Sequence, residues 1–302
     1  MPSRRALVTG ATGAIGSRLV PRLLDAGWTV RVLTRDRTAL DPSFAGRVEV
    51  VEGDATSTDV LTEAAADVDV AWYLIHSMTS TYDYPDQDRK IAEGFGTVCR
   101  DANVSRIVYL GGLLPDGDSE LTEHLRSRRE VGRALIDSGV PTAVLQAGIV
   151  VGLGSVSYEL LERAARLPIV VGPDWLSHQV QPIAMSDVLH YLVGAADLPS
   201  DVSRAFDVGG PDALPYRDLI GAFAEAIGRR PPPVITVPVL FPRTTALWAG
   251  IVAPAPTSLV SSLVASLQLD MVCREHDIAR YVPDPSGGLM DFRSAVAAAH
   301  AS

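Results

Sequence analysis

Two short stretches hold the residues whose types and spacing can do chemistry. Thr9 to Gly16 reads TGATGAIG, with Gly10, Gly13 and Gly16 three apart. Glycines at this spacing, between a strand and a helix, let backbone N–H groups come up to a pyrophosphate at the positive helix end. Thr12, Ala14 and Ile15 lie within the same turn. His124 to Arg128 reads HLRSR. Residues four apart share one helix face, so His124 and Arg128 can point into one site. A histidine titrates near neutrality and can act as acid or base, while an arginine donates hydrogen bonds but relays no proton.

The second predicted strand, TVRVLT at Thr29 to Thr34, is followed by Arg35, Asp36 and Arg37. A carboxylate at that strand end would bond the ribose 2′-hydroxyl of NAD, whereas a guanidinium can fork onto a 2′-phosphate. Arg35 directly follows the strand, so the expectation is NADP(H) in preference to NAD(H). Asp54, after the third strand, is placed to accept from an adenine amino group, with Ala55 beside it. Ile75, His76 and Ser77 lie at the end of the fourth strand and Gly111 at the end of the fifth, at the sheet's C-terminal edge, where open α/β folds bind their ligands. His76 is a further catalytic candidate. Ser77, Tyr82, Tyr158, Glu159 and Gln181 are candidates for substrate contact.

These residues need a frame that brings strand ends together. Strand signals at Ala6 to Val8, Thr29 to Thr34, Val48 to Val51, Val68 to Ile75, Arg106 to Leu110 and Thr142 to Ala147 alternate with helical ones. Such alternation predicts an α/β fold, a doubly wound parallel sheet covered on both faces. Residues 1–152 form the expected nucleotide-binding core, to which 177–209 return through a strand near Ala205 to Val208. Residues 153–176 and 210–302 make a smaller substrate lobe, expected to close over the sheet's C-terminal edge. Pro21, inside the first helix, is expected to kink or strain it. The apolar stretch from Val234 to Leu269 is read as the lobe's own core, with a substrate pocket or membrane contact as alternatives.

The chain has 302 residues, 47% of them apolar, and a net charge of −10 from 26 basic and 36 acidic groups. That acidity argues against nucleic acid as a partner. Cys99 and Cys273 lie too far apart for a metal motif or disulfide framework. The opening MPSRR lacks the apolar run of a signal peptide, and no stretch of eighteen apolar residues predicts a spanning helix. A cytoplasmic protein, monomeric or homodimeric, with a small-molecule substrate is the expectation.

Together these motifs resemble the short-chain dehydrogenase/reductase superfamily, in its extended or atypical NmrA-like branch. TGATGAIG matches that branch's TGxxGxxG, and Gly53-Asp54 its adenine-side aspartate. The resemblance covers roughly residues 5 to 210 and implies a Rossmann fold with a bound dinucleotide. The catalytic residues depart from it. The superfamily's Tyr-x-x-x-Lys falls on His124-x-x-x-Arg128, its serine on Gly111-Gly112, and its Arg-Pro-Gly on Gln146-Ala147-Gly148. The resemblance implies an atypical oxidoreductase acting on a carbonyl or activated double bond of a hydrophobic molecule. The alternatives are a cofactor-binding redox sensor without turnover, and an epimerase or lyase that keeps its cofactor bound.

Overall fold

The computed structural model describes residues 3–75, 84–115, 121–237 and 269–301. Seven parallel strands form the central sheet. They are β1 (Arg5–Thr9), β2 (Thr29–Thr34), β3 (Glu49–Glu52), β4 (Val70–Tyr73), β5 (Arg106–Gly112), β6 (Thr142–Ala147) and β11 (Arg204–Val208). Their order is β11-β6-β5-β4-β1-β2-β3, with the reversal between β1 and β4. Strand order reverses there because the chain winds outward from β1 to one edge, then crosses back to build the other half.

Alternation along each strand sorts its side chains onto two buried faces. Ala6, Val8, Val30, Val32, Trp72 and Val108 face α1 (Gly16–Asp25) and α6 (Met185–Gly194). Leu7, Leu33, Ala71, Tyr73, Ile107 and Tyr109 face α2 (Thr58–Ala65), α3 (Tyr84–Asp101) and α4 (Glu123–Asp137). On α1, Leu19, Val20 and Leu23 are fully buried; full burial of such a side chain contributes roughly 1.5–3 kcal/mol. Pro21 sits within this helix, yet the helix runs to Asp25. The packed face outweighs the backbone bond that proline gives up.

A third core lies beyond the sheet. It gathers Tyr158 and Leu161 from α5 (Val156–Arg166), Leu219 and Phe223 from α7 (Tyr216–Ala226), and Val296 from the last helix, Phe292–His300. Three two-stranded pairs edge it. They are β7 (Val150–Val151) with β10 (Ile183–Ala184), β9 (Gln179–Val180) with β12 (Leu214–Pro215), and β8 (Val170–Pro173) with β13 (Val234–Val237). The segment after Leu269 is latched back onto the sheet. The Arg274 guanidinium donates to both carboxylate oxygens of the buried Asp207, at 2.7 and 2.9 Å. Among the described residues, no helix is long and apolar enough to cross a membrane.

Candidate cofactor and substrate site

The glycine turn is built from its first strand. The Thr9 hydroxyl donates to the Trp72 carbonyl and accepts from the Leu74 N–H, both at 3.1 Å, which pins β1 to the end of β4. Gly10 then takes φ +74°, and a β-carbon there would come within 2.7 Å of the Leu74 carbonyl oxygen. At Gly16 an added β-carbon would meet the Gly10 carbonyl oxygen at 2.2 Å. Only glycine lets α1 begin this close to the strand. The bare backbone leaves a cradle of the kind a pyrophosphate fills, at the N-terminus of a ten-residue helix.

A cavity of about 430 Å³ opens from this turn along the C-terminal ends of the strands. Gly10, Gly13, Ala14 and Ile15 form one end. Gly111 and Gly112 of β5 form the floor, where no side chain intrudes. His124 and Arg128 stand on one wall, as their spacing on α4 requires. The lining also includes Gly148 to Val150, Gly154 to Ser157, and Leu160. At Gly154 a β-carbon would approach the Ala14 β-carbon at 3.5 Å, so the start of α5 closes over the glycine turn. Val180, Tyr216 and Met271 of the lobe finish the far end.

His124 lies in the first turn of α4, whose N-terminus Thr122 caps through a bond from the Leu125 N–H. Burial, and secondarily the Arg128 guanidinium, lower its pKa from 6.5 to about 4. The imidazole is therefore neutral at pH 7. It can donate or accept one hydrogen bond per ring nitrogen but holds no charge to give away. That narrows the acid role expected from its ordinary titration near neutrality. Arg128 also lies beside Tyr109, whose phenol is pushed up by burial and pulled down by that guanidinium. Behind it, the Ser127 hydroxyl donates to the buried Asp88 carboxylate at 3.1 Å.

At the far side of the turn, Arg35 and Asp54 are at the surface. The Asp54 carboxylate accepts from the Thr56 N–H at 2.8 Å, and that bond, with a smaller contribution from Arg35, lowers its pKa. Asp36 turns its carboxylate onto the Thr38 N–H and hydroxyl, at 2.8 and 2.6 Å. Arg37 is paired with Glu52 at 2.9 Å. Arg35 makes no hydrogen bond or ion pair among the described residues.

Several expected residues stand elsewhere. Thr12 is exposed on the outside of the turn, and Ala55 and Ile75 pack into the sheet's second core. Tyr158 is buried in the lobe against Phe223, with ring centroids 5.1 Å apart. Glu159 is exposed; the ion pair on this helix joins Glu162 to Arg166 at 2.7 Å, not Glu159 to Arg163. Gln181 spends its amide on backbone, donating to the Gly210 carbonyl and accepting from the Cys273 N–H at 2.7 and 2.8 Å. His76, Ser77, Tyr82 and most of Val234 to Leu269 lie outside the described residues.

Sequence reasoning missed Tyr216, Met271, and Ser155 with Ser157, all lining the cavity. A signal existed for the first. Leu219, Ile220 and Phe223 repeat at helical spacing after Pro215, and place Tyr216 at a helix start.

A parallel doubly wound sheet with a glycine turn at its switch point defines a dinucleotide-binding α/β protein. The chain belongs to a family described as NAD(P)H-binding, whose pattern matches residues 10–161, within the extended short-chain dehydrogenase/reductase superfamily. It is 30% identical over 226 residues to a (4-alkanoyl-5-oxo-2,5-dihydrofuran-3-yl)methyl phosphate reductase of Streptomyces griseus, covering 74% of each chain. Among solved structures it resembles a nucleoside-diphosphate-sugar epimerase from Staphylococcus aureus, with a TM-score of 0.76 at 16% identity over 97% of this chain and 99% of the other. It also resembles the triphenylmethane reductase of a Citrobacter species in complex with NADP(H), with a TM-score of 0.74 at 17% identity over 98% and 99%. An epimerase and a reductase fit almost equally well. Those two likenesses show the shared fold, and the reaction has to be argued from the site.

Proposed function

We propose that the chain is an NADP(H)-dependent oxidoreductase that reduces a carbonyl or activated double bond of a hydrophobic small molecule in the cytoplasm. The observation that carries this reading is the cavity's continuity. One chamber runs from the glycine turn, past the bare backbone of Gly111 and Gly112, to an apolar end under the lobe. A bound nicotinamide supplies the hydride there. The protein supplies the rest. Gly10, Gly13, Ala14 and Ile15 hold the pyrophosphate, and Arg128 donates to ribose hydroxyls. His124, kept neutral, offers a ring N–H to the acceptor oxygen. Leu113, Leu125, Val156 and Leu160 exclude water from the reacting atoms.

The preference for the phosphorylated cofactor rests on the end of β2. Asp36 is committed to Thr38, and Arg37 to Glu52, while Arg35 keeps its donors. A guanidinium with its donors unspent suits a 2′-phosphate, whereas one oxygen of the Asp36 carboxylate already holds both Thr38 donors. The reductase relative from Streptomyces griseus supports hydride transfer over epimerisation. A second reading, a redox sensor of NmrA-like type, is favoured by the glycines standing where a catalytic serine is expected. Oxidation of NADPH in the presence of quinones, enones and aldehydes separates the two. Turnover of one of these classes supports the enzyme, and tight binding without any turnover supports the sensor.

A further inference from the structure

Tyr216 is the tyrosine among the described residues that lines the cavity. It opens α7, and its ring stands edge-on to Trp175 with centroids 6.2 Å apart. The residue is only 3% exposed, yet its hydroxyl makes no hydrogen bond among the described residues. Unlike those of Tyr109 and Tyr158, the Tyr216 hydroxyl oxygen is not sealed off, and the cavity that the residue lines gives a ligand access to it. Its neighbours on this wall, Val180, Leu160 and Met271, are apolar. Other buried tyrosines are used or enclosed differently. Tyr191 donates to Asp284 at 2.7 Å, the Tyr158 hydroxyl is sealed inside the lobe core, and the Tyr109 hydroxyl is sealed behind Gly111 and beside Arg128.

On this ground, and resting on the oxidoreductase reading above, we infer that the Tyr216 hydroxyl is the substrate-recognition donor at the lobe end, hydrogen-bonding an uncharged oxygen acceptor on an apolar ring or chain. Desolvation raises the phenol's pKa, with no charged neighbour contributing, so the group stays protonated and neutral. A neutral donor in an apolar wall suits a ketone or quinone oxygen. It offers nothing to balance a carboxylate or phosphate, which would lose hydration on entry. His124 and Arg128, Ser155 and Ser157, and the Tyr216 phenol are the polar side chains of a mostly apolar lining, and specificity comes from a few placed polar groups.

The test uses the full chain saturated with NADP+, which cannot reduce the probe. Tetralone, indanone and menadione are each titrated against the hydrocarbon of the same shape. The wild type binds the oxygenated partner more tightly, by about fivefold for one neutral hydrogen bond. Tyr216→Phe keeps the ring and removes the hydroxyl. That preference falls about fivefold, while the hydrocarbon and NADP+ affinities and the melting temperature stay unchanged. A preference undiminished in Tyr216→Phe, a wild type with no preference in any pair, or a melting temperature lowered by several degrees overturns the inference. Failure of the wild type to bind NADP+ or NADPH overturns the function proposed above instead, and is seen before any probe is added.

Discussion

His124→Gln removes one titrating group from the cavity wall, and the structure fixes the sign of its effect. The folded-state pKa of His124 is about 4, below its ordinary 6.5. Between those values the unfolded chain binds a proton that the folded chain refuses. Stability is therefore complete above the unfolded pKa and is lost as pH falls toward the folded one. The full difference corresponds to about 3 kcal/mol, and the part reached between pH 7.5 and pH 5.5 to about 1.4 kcal/mol. Urea unfolding at a series of pH values measures it, and that range stays above the isoelectric point near 5.0. The comparison with His124→Gln cancels the carboxylates common to both chains. The wild type loses about 1.4 kcal/mol more than the variant over that range. Parallel pH profiles would refute the desolvated, neutral imidazole on which its proposed role depends.

Two further outcomes follow from the same geometry. Arg35→Ala weakens NADPH binding about tenfold or more, the weight of a charge-assisted bond, and leaves NADH binding unchanged; isothermal titration of both cofactors reads it. Arg274→Met takes the guanidinium from the buried Asp207 carboxylate, 1% exposed, and leaves it the backbone N–H of residue 274; the loss is about 3 kcal/mol of stability, near the low end because of that remaining donor and because Arg274 itself is 39% exposed. Thermal unfolding should show that loss, and Asp207→Asn in the same chain should recover part of it.

How much of this was legible in the sequence depends on what each residue's signal encodes. β2 and β6 occupy the predicted Thr29–Thr34 and Thr142–Ala147, because buried parallel strands are written as mostly apolar or β-branched runs, interrupted here only by Arg31 and Gln146. HLRSR lies on a helix, α4, as its four-residue spacing required, and so His124 and Arg128 meet in one cavity. α2 escaped notice. Its eight residues carry one apolar turn, and its clearest mark is the Ser57 cap, which accepts from the Val60 N–H. Tyr158, Glu159 and Gln181 read as neighbours of the site because they follow the sheet. Where each side chain points is set by lobe packing, which no local pattern records: Tyr158 turns to Phe223, and Gln181 to the backbone at Gly210 and Cys273. Tyr216 and Met271 come from segments far along the chain, and long-range contacts bring them to the cavity: the β9–β12 pair, the bridge of Met271 to Val180 and the latch of Arg274 on Asp207.

The most direct measurement is equilibrium titration of the purified full chain with NADPH and with NADH, followed by intrinsic fluorescence or calorimetry. Saturable binding of both, with NADPH the tighter, is the predicted result. No saturable binding of either would contradict the glycine turn as a dinucleotide cradle, and tighter binding of NADH would contradict the role given to Arg35.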